Sequence, residues 1–172
     1  MTKVNPKISA GILLYRFVKE VLEVLIVHPG GPFYKNKDLG VWDIPKGEVE
    51  TGENLLETAF REFLEEVGFE PDTSKLLDLG SVKNSSGKIV YIWGAEGDLP
   101  QDFILKSNQI EINWPPKSEQ KIVIPEVDQV VFTPISLAKQ KVWAYQKPIL
   151  DTLIEKLNYN EPDAEGSNFT LF

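Results

Sequence analysis

The stretch that most constrains this chain is GEVETGENLLETAFREFLEEVGFE, Gly47 to Glu70. It holds eight glutamates and one cationic side chain, Arg61, so it carries −7 of the chain's net −8. Glutamates on an exposed helix normally alternate with lysines or arginines at i,i+4, and here those partners are missing. Asn54 is placed to cap a helix, with Glu57 three residues on to close a capping box. Gly68 is placed to end the helix in left-handed geometry. The spacing predicts roughly 13 residues, or about 20 Å of helix. At about 100° per residue, Leu55, Leu56, Ala59, Phe60, Phe63, Leu64 and Val67 cover an arc of about 180°, which is the core face. Glu62, Glu65 and Glu66 gather on one edge of that face, and Glu66 falls inside its margin, between Leu55 and Ala59. Arg61 is expected on the far side of Glu65 from Glu66.

Glu62 stands three residues before Glu65 and four before Glu66, so their Cβ atoms are about 5–6 Å apart. Three like charges this close, one of them half-buried, cost free energy unless something compensates. A solvated helix face is the plain alternative. The missing lysines and the position of Glu66 favour an external hard cation, because Mg²⁺ and Mn²⁺ prefer carboxylate oxygens and complete their shells with water and substrate phosphate.

The rest of the sequence sets the frame. A length of 172 residues suits one domain, expected over 1–157, with a polar tail at 158–172. The fractions of hydrophobic and charged residues, 42% and 26%, are those of a soluble globular protein. No apolar run is long enough for a membrane helix, and MTKVNPKISAGILLY lacks a signal-peptide pattern. The chain has no cysteine, which excludes disulfides and thiolate metal sites and fits a reducing cytoplasm, the expected location. The acidic balance argues against nonspecific binding to nucleic acid or to a membrane surface.

SAGILLYRF and EVLIVHP read as a strand pair joined at Lys19 and Glu20. Gly30 to Gly40 is a loop. VWDIP reads as a short strand that Pro45 ends. LLDLGSV and KIVYIWGAEG are strands joined by the turn-prone NSSG. EINWPPKSEQKIVIP reads as strand, proline-bounded bend and strand. VDQVVFT is a further strand, and Leu137–Val142 and Pro148–Leu157 have helical spacing. The class is α+β or mixed α/β.

Gly47, Glu53 and the run Arg61-Glu62-Phe63-Leu64-Glu65-Glu66-Val67-Gly68-Phe69 resemble a complete Nudix box. That resemblance implies a Nudix fold, a mixed β-sheet sandwiched between helices, with the box as a loop–helix–loop. It implies a pyrophosphohydrolase dependent on Mg²⁺ or Mn²⁺ and acting on a nucleoside diphosphate linked to another group. Glu62, Glu65 and Glu66 match the family's metal-binding glutamates, one of which can instead serve as general base. Glu53 matches the glutamate that pairs with Arg61. Gly47 matches the glycine whose carbonyl joins the metal shell. The run W-x-x-P-K-G-x-V-x-x-G-E from Trp42 resembles that of some diadenosine tetraphosphate hydrolases. Asn84 stands near where ADP-ribose hydrolases of the family carry proline. Ser85 and Ser86 stand where dinucleoside polyphosphate hydrolases carry tyrosine, so the subfamily stays open. House-cleaning of noncanonical nucleoside triphosphates or of ADP-sugars is the alternative activity, and a non-catalytic nucleotide-binding regulator is the alternative of another class.

Beyond the box, the family often recruits a carboxylate from a later loop, for which Glu111, Glu119, Glu126 and Asp128 are the candidates. Lys46, Lys35 and Lys37 are candidates for phosphate contact. His28, at the end of an apolar strand, is expected to be structural. Trp42, Trp93, Trp114, Trp143 and Tyr145 divide between core positions and stacking on a base.

Overall fold

Two strands open the chain, β1 (Ile8–Val18) and β2 (Val21–Pro29), and pair antiparallel from Tyr15↔Val24 to Val18↔Val21. The turn between them holds Lys19 and Glu20 at φ 48° and 67°. Positive φ at both positions is the type I′ turn, whose twist matches that of the flanking strands. This computed structural model describes residues 7–162. The polar tail expected at 158–172 therefore lies outside the described residues from 163 onward.

The remaining elements are β3 (Lys46–Glu48), α1 (Leu55–Val67), β4 (Leu76–Lys83), β5 (Ile89–Glu96), β6 (Gln109–Asn113), β7 (Lys121–Pro125), β8 (Val127–Pro134), α2 (Ile135–Lys141) and α3 (Lys147–Lys156). A short 3-10 helix, Ala144–Gln146, joins α2 to α3. The main sheet runs β4-β5-β1-β2-β8, with β3 added on β1, and the β6–β7 hairpin forms a second, two-stranded sheet. Among the strand pairs of the described residues, only β1–β5 is parallel; the others are antiparallel. This is the mixed sheet between helices that was expected.

Alternation along the central strands builds a core on each face. Ala10, Ile12 and Leu14 of β1 join Leu25 and Val27 of β2 under Ala59, Phe63 and Val67 of α1. Leu13, Leu22, Val24 and Ile26 face the other way, onto Ile135, Ile149, Leu150 and Leu153 of α2 and α3. Burying a side chain such as Phe63 or Leu150 stabilises by about 1.5–3 kcal/mol each.

The segment VWDIP is not the strand that its composition suggests. Trp42 and Asp43 make single bridges to Val142 and Val27. The Ile44 N–H goes to the Gln146 side chain at 3.1 Å, and the Pro45 carbonyl accepts from Ile12 N–H at 3.1 Å. Four neighbours share the backbone groups of four residues, so no ladder forms, and β3 starts only after the proline.

Candidate active site

The helix that carries the acidic edge is capped as its sequence predicts. The Asn54 side chain accepts from Glu57 N–H at 2.9 Å, the Glu57 side chain accepts from Asn54 N–H at 3.0 Å, and Gly68 ends the helix at φ 80°. Seating Ala59, Phe63 and Val67 on the sheet turns Glu62 and Glu66 inward, to 8% and 6% exposure. A β-carbon at Gly47 would overlap the Glu62 carboxylate. Only glycine leaves room for that carboxylate against the β3 backbone.

The expectation that Glu62, Glu65 and Glu66 stand unpaired is overturned for Glu62 and Glu65. Arg61 donates to Glu53 from Nε at 2.7 Å and from Nη2 at 3.0 Å. Its Nη1 reaches Glu62 at 2.6 Å and Glu65 at 3.3 Å, and Nη2 also donates to the Glu48 carbonyl at 3.1 Å. A helical wheel places Arg61 correctly at its Cα. The wheel cannot foresee that the long side chain bends back across Glu62 to meet the loop. Donation from Arg61, then from the Glu50 backbone, with Thr58 adding to it, holds Glu53 down at about 2.

Glu66 is different. Among the described residues, no hydrogen bond or ion pair reaches its carboxylate. Burial pushes its pKa well above the usual carboxylate range; Lys46 opposes this, and Asp43, Glu126 and Glu62 add to it. Burial raises Glu62 as well, against the pull of Arg61. A carboxylate that lines the cavity without a donor, beside Glu62 and Glu126 and next to Gly47, is an arrangement that suits a hard cation. Among the described residues, no three acidic or histidine side chains have already converged on one point.

Lys46, on β3, is mostly buried and pairs with Asp43 at 2.6 Å. Burial works against its charge, but Asp43, Tyr145 and Glu66 together raise its pKa. Gln146, 1% exposed, donates to Asp43 and accepts from the Ile44 N–H. Neither Asp43 nor Gln146 stood out in the sequence, since their pairing spans about a hundred residues and leaves no local signal.

Asp43, Lys46, Gly47, Glu62 and Glu66 line a cavity of about 490 Å³ together with Glu126, Lys88 and the apolar side chains of β6–β7. Of the four carboxylates considered outside the box, Glu126 is the one on this wall. Its N–H donates to the Asn108 carbonyl, and the Asn108 N–H donates to the Glu65 carbonyl, which ties the β7–β8 junction to α1. Glu111 pairs with Lys121 at 2.7 Å on the hairpin, and Glu119 is exposed. Asp128 bonds His28 Nδ1 at 2.7 Å, while Nε2 meets the Lys37 carbonyl at 2.7 Å. His28 is thus buried and satisfied, as expected. Lys35 is exposed and lies outside the cavity lining; Lys37 instead packs its ammonium 3.4 Å above the Phe33 ring. Lys88, which the sequence reading passed over, faces the cavity and pairs with Glu48 at 2.8 Å. Trp114 and Tyr145 are also absent from the lining, and Tyr145 accepts from Gln146 at 2.9 Å.

A family model for the NUDIX domain matches residues 5–153. A stretch of 35 residues is 51% identical to a Bacillus subtilis (strain 168) protein provisionally named 8-oxo-dGTP diphosphatase, covering 20% of this chain and 24% of the relative. Another of 60 residues is 42% identical to the Mus musculus bis(5'-nucleosyl)-tetraphosphatase [asymmetrical], covering 32% and 41%. The chain thus spans less than half the length of either relative. The crystal structure of a C. elegans Ap4A hydrolase binary complex is similar in fold, with a TM-score of 0.61 at 21% identity over 87% of this chain and 98% of that one.

Proposed function

This chain belongs to the NUDIX-domain family, and on that premise we propose that it is a divalent-metal-dependent pyrophosphohydrolase of nucleoside diphosphate derivatives. The observation that carries the reading is Glu66, a buried residue that lines one cavity with Glu62, Glu126 and Gly47 and has no hydrogen-bond donor among the described residues. Glu62, Glu65 and Glu66, with the Gly47 carbonyl and Glu126, are the groups that would hold Mg²⁺ or Mn²⁺. Such an ion neutralises a diphosphate, polarises phosphorus and makes bound water nucleophilic at neutral pH. The chain's own residues do the positioning. Arg61 fixes Glu62 and the Glu53 loop as one unit. Asp43 and Gln146 hold Lys46 beside the glutamates. Lys88 offers a second cation to the same cavity, so a phosphate chain would meet charge from two sides.

The substrate proposed is a dinucleoside polyphosphate such as diadenosine tetraphosphate. The W-x-x-P-K-G run and the similarities to a tetraphosphatase and to an Ap4A hydrolase fold support it. Hydrolysis of an oxidised nucleoside triphosphate is the second reading, favoured by the short, highly identical match to the B. subtilis protein. Measuring kcat/KM side by side for diadenosine tetraphosphate, ADP-ribose and 8-oxo-dGTP decides between them. A lead of more than tenfold for either of the last two overturns the dinucleotide assignment. No turnover of any of the three, with either metal, leaves a nucleotide-binding regulator. Among the described residues, no helix is long and apolar enough to cross a membrane.

A further inference from the structure

We propose that Phe33, on the loop between β2 and β3, is the stacking platform for a nucleobase, and that the β6–β7 isoleucines close the other side of its slot. This rests on the reading of the cavity as a nucleotide site and assigns the end that the glutamates leave open. Phe33 and Tyr34 are the aromatic side chains that line the cavity, and they share it with Ile110, Ile112 and Ile124. The lining therefore combines charged side chains, suited to metal and phosphate, with the apolar faces of Phe33, Tyr34 and the three isoleucines. A nucleotide combines the same two: a charged phosphate chain at one end and a flat apolar base at the other.

Phe33 is 51% exposed, with other side chains packed about its ring. Tyr34 meets it edge to face at 4.8 Å and in turn packs against Trp143 at 6.4 Å. The Lys37 ammonium sits 3.4 Å from the ring centroid, and His28 bonds the Lys37 carbonyl. At the other end of the loop, the Gly30 N–H bonds the Glu126 carbonyl at 2.9 Å. A β-carbon at Gly30 would strike the Pro125 carbonyl, and one at Gly31, whose φ is 88°, would come within 2.6 Å of Ile124. The two glycines thus seat the loop flush on β7, and the next residues but one present the ring. Keeping a large aromatic half in water while bracing it from several sides serves a contact that a ligand completes. Stacking on an aromatic ring accepts any base, since every base has a π-face, so this site contributes affinity and leaves discrimination to the groups around it.

The test is equilibrium binding of ADP by calorimetry, with Ca²⁺ present, which reports binding independently of turnover. Phe33→Ala should weaken ADP about tenfold or more, and Phe33→Trp should restore or tighten it. Inorganic diphosphate, which has no base, should bind wild type and Phe33→Ala alike, and this also shows that the variant is folded. Equal ADP affinity in wild type and Phe33→Ala overturns the proposal while leaving the hydrolase reading intact. So does a loss of inorganic diphosphate binding matching the loss of ADP. If no diphosphate is hydrolysed but ADP binding still depends on Phe33, the hydrolase reading falls and this one holds.

Discussion

The α1 wall of the cavity and its hairpin wall differ in how far apart in the chain their parts lie. Glu62 and Glu66 come from adjacent turns of one helix, and their spacing alone brings them together. The isoleucines of β6–β7 and Glu126 lie far down the chain, and they reach the cavity because β8 pairs with β2 and the Asn108 backbone bridges Glu65 to Glu126. The α1 wall concentrates charge, and the hairpin wall is apolar except at Glu126. Chemistry is expected to depend on the first wall, and positioning and affinity on the network that joins the two.

Chelation is the largest test of that division. EDTA should abolish turnover of the substrate chosen by the panel, and Mg²⁺ or Mn²⁺ should restore it; full activity after exhaustive chelation removes the cation from the account. Next in size is Glu66→Gln. It should lower kcat by at least about a hundredfold. The sign for stability is opposite. Because burial raises the pKa of Glu66 in the folded state, its ionisation weakens the metal-free protein as pH rises past the unfolded carboxylate range of about 4.3. The metal-free variant should therefore melt no lower than wild type at neutral pH. Near-normal kcat at saturating metal would move the essential chemistry off this wall.

A smaller effect tests the joining network. Gln146→Leu leaves the Ile44 N–H without its acceptor and takes the donor from Asp43 Oδ1, while Lys46 still holds Oδ2. It should cost about 1–3 kcal/mol in denaturant unfolding, with substrate KM raised. Unchanged stability would mean that the 3-10 helix merely covers the site. The smallest effect concerns Arg61 and Glu53. A double-mutant cycle with alanine should show about 1 kcal/mol of coupling in kcat/KM; additive losses would separate the loop from the helix. Glu53 titrates at about 2, below its unfolded value. Its contribution to stability is therefore complete above about pH 4.3 and lost as pH falls toward 2. A thermal scan across that window should show a steeper fall in wild type than in Glu53→Gln.

The sequence by itself determined whatever depends on short separations. The Asn54–Glu57 box, the Gly68 stop, the burial of Glu66 and the hairpin flanking Trp114 all follow from residues within a few positions of one another, where helix and strand periods are fixed by the backbone. Tertiary structure decided the rest. It chose Glu126 over Glu111, because β7 and β8 meet at the cavity while Glu111 finds Lys121 across its own hairpin. It set Lys35 outside the lining and brought in Lys88. It turned VWDIP from a strand into a crossing, and it bent Arg61 onto glutamates that looked unpaired. Each of these depends on a contact between distant segments, whose closing is determined by the packing of the whole sheet and not by any local preference.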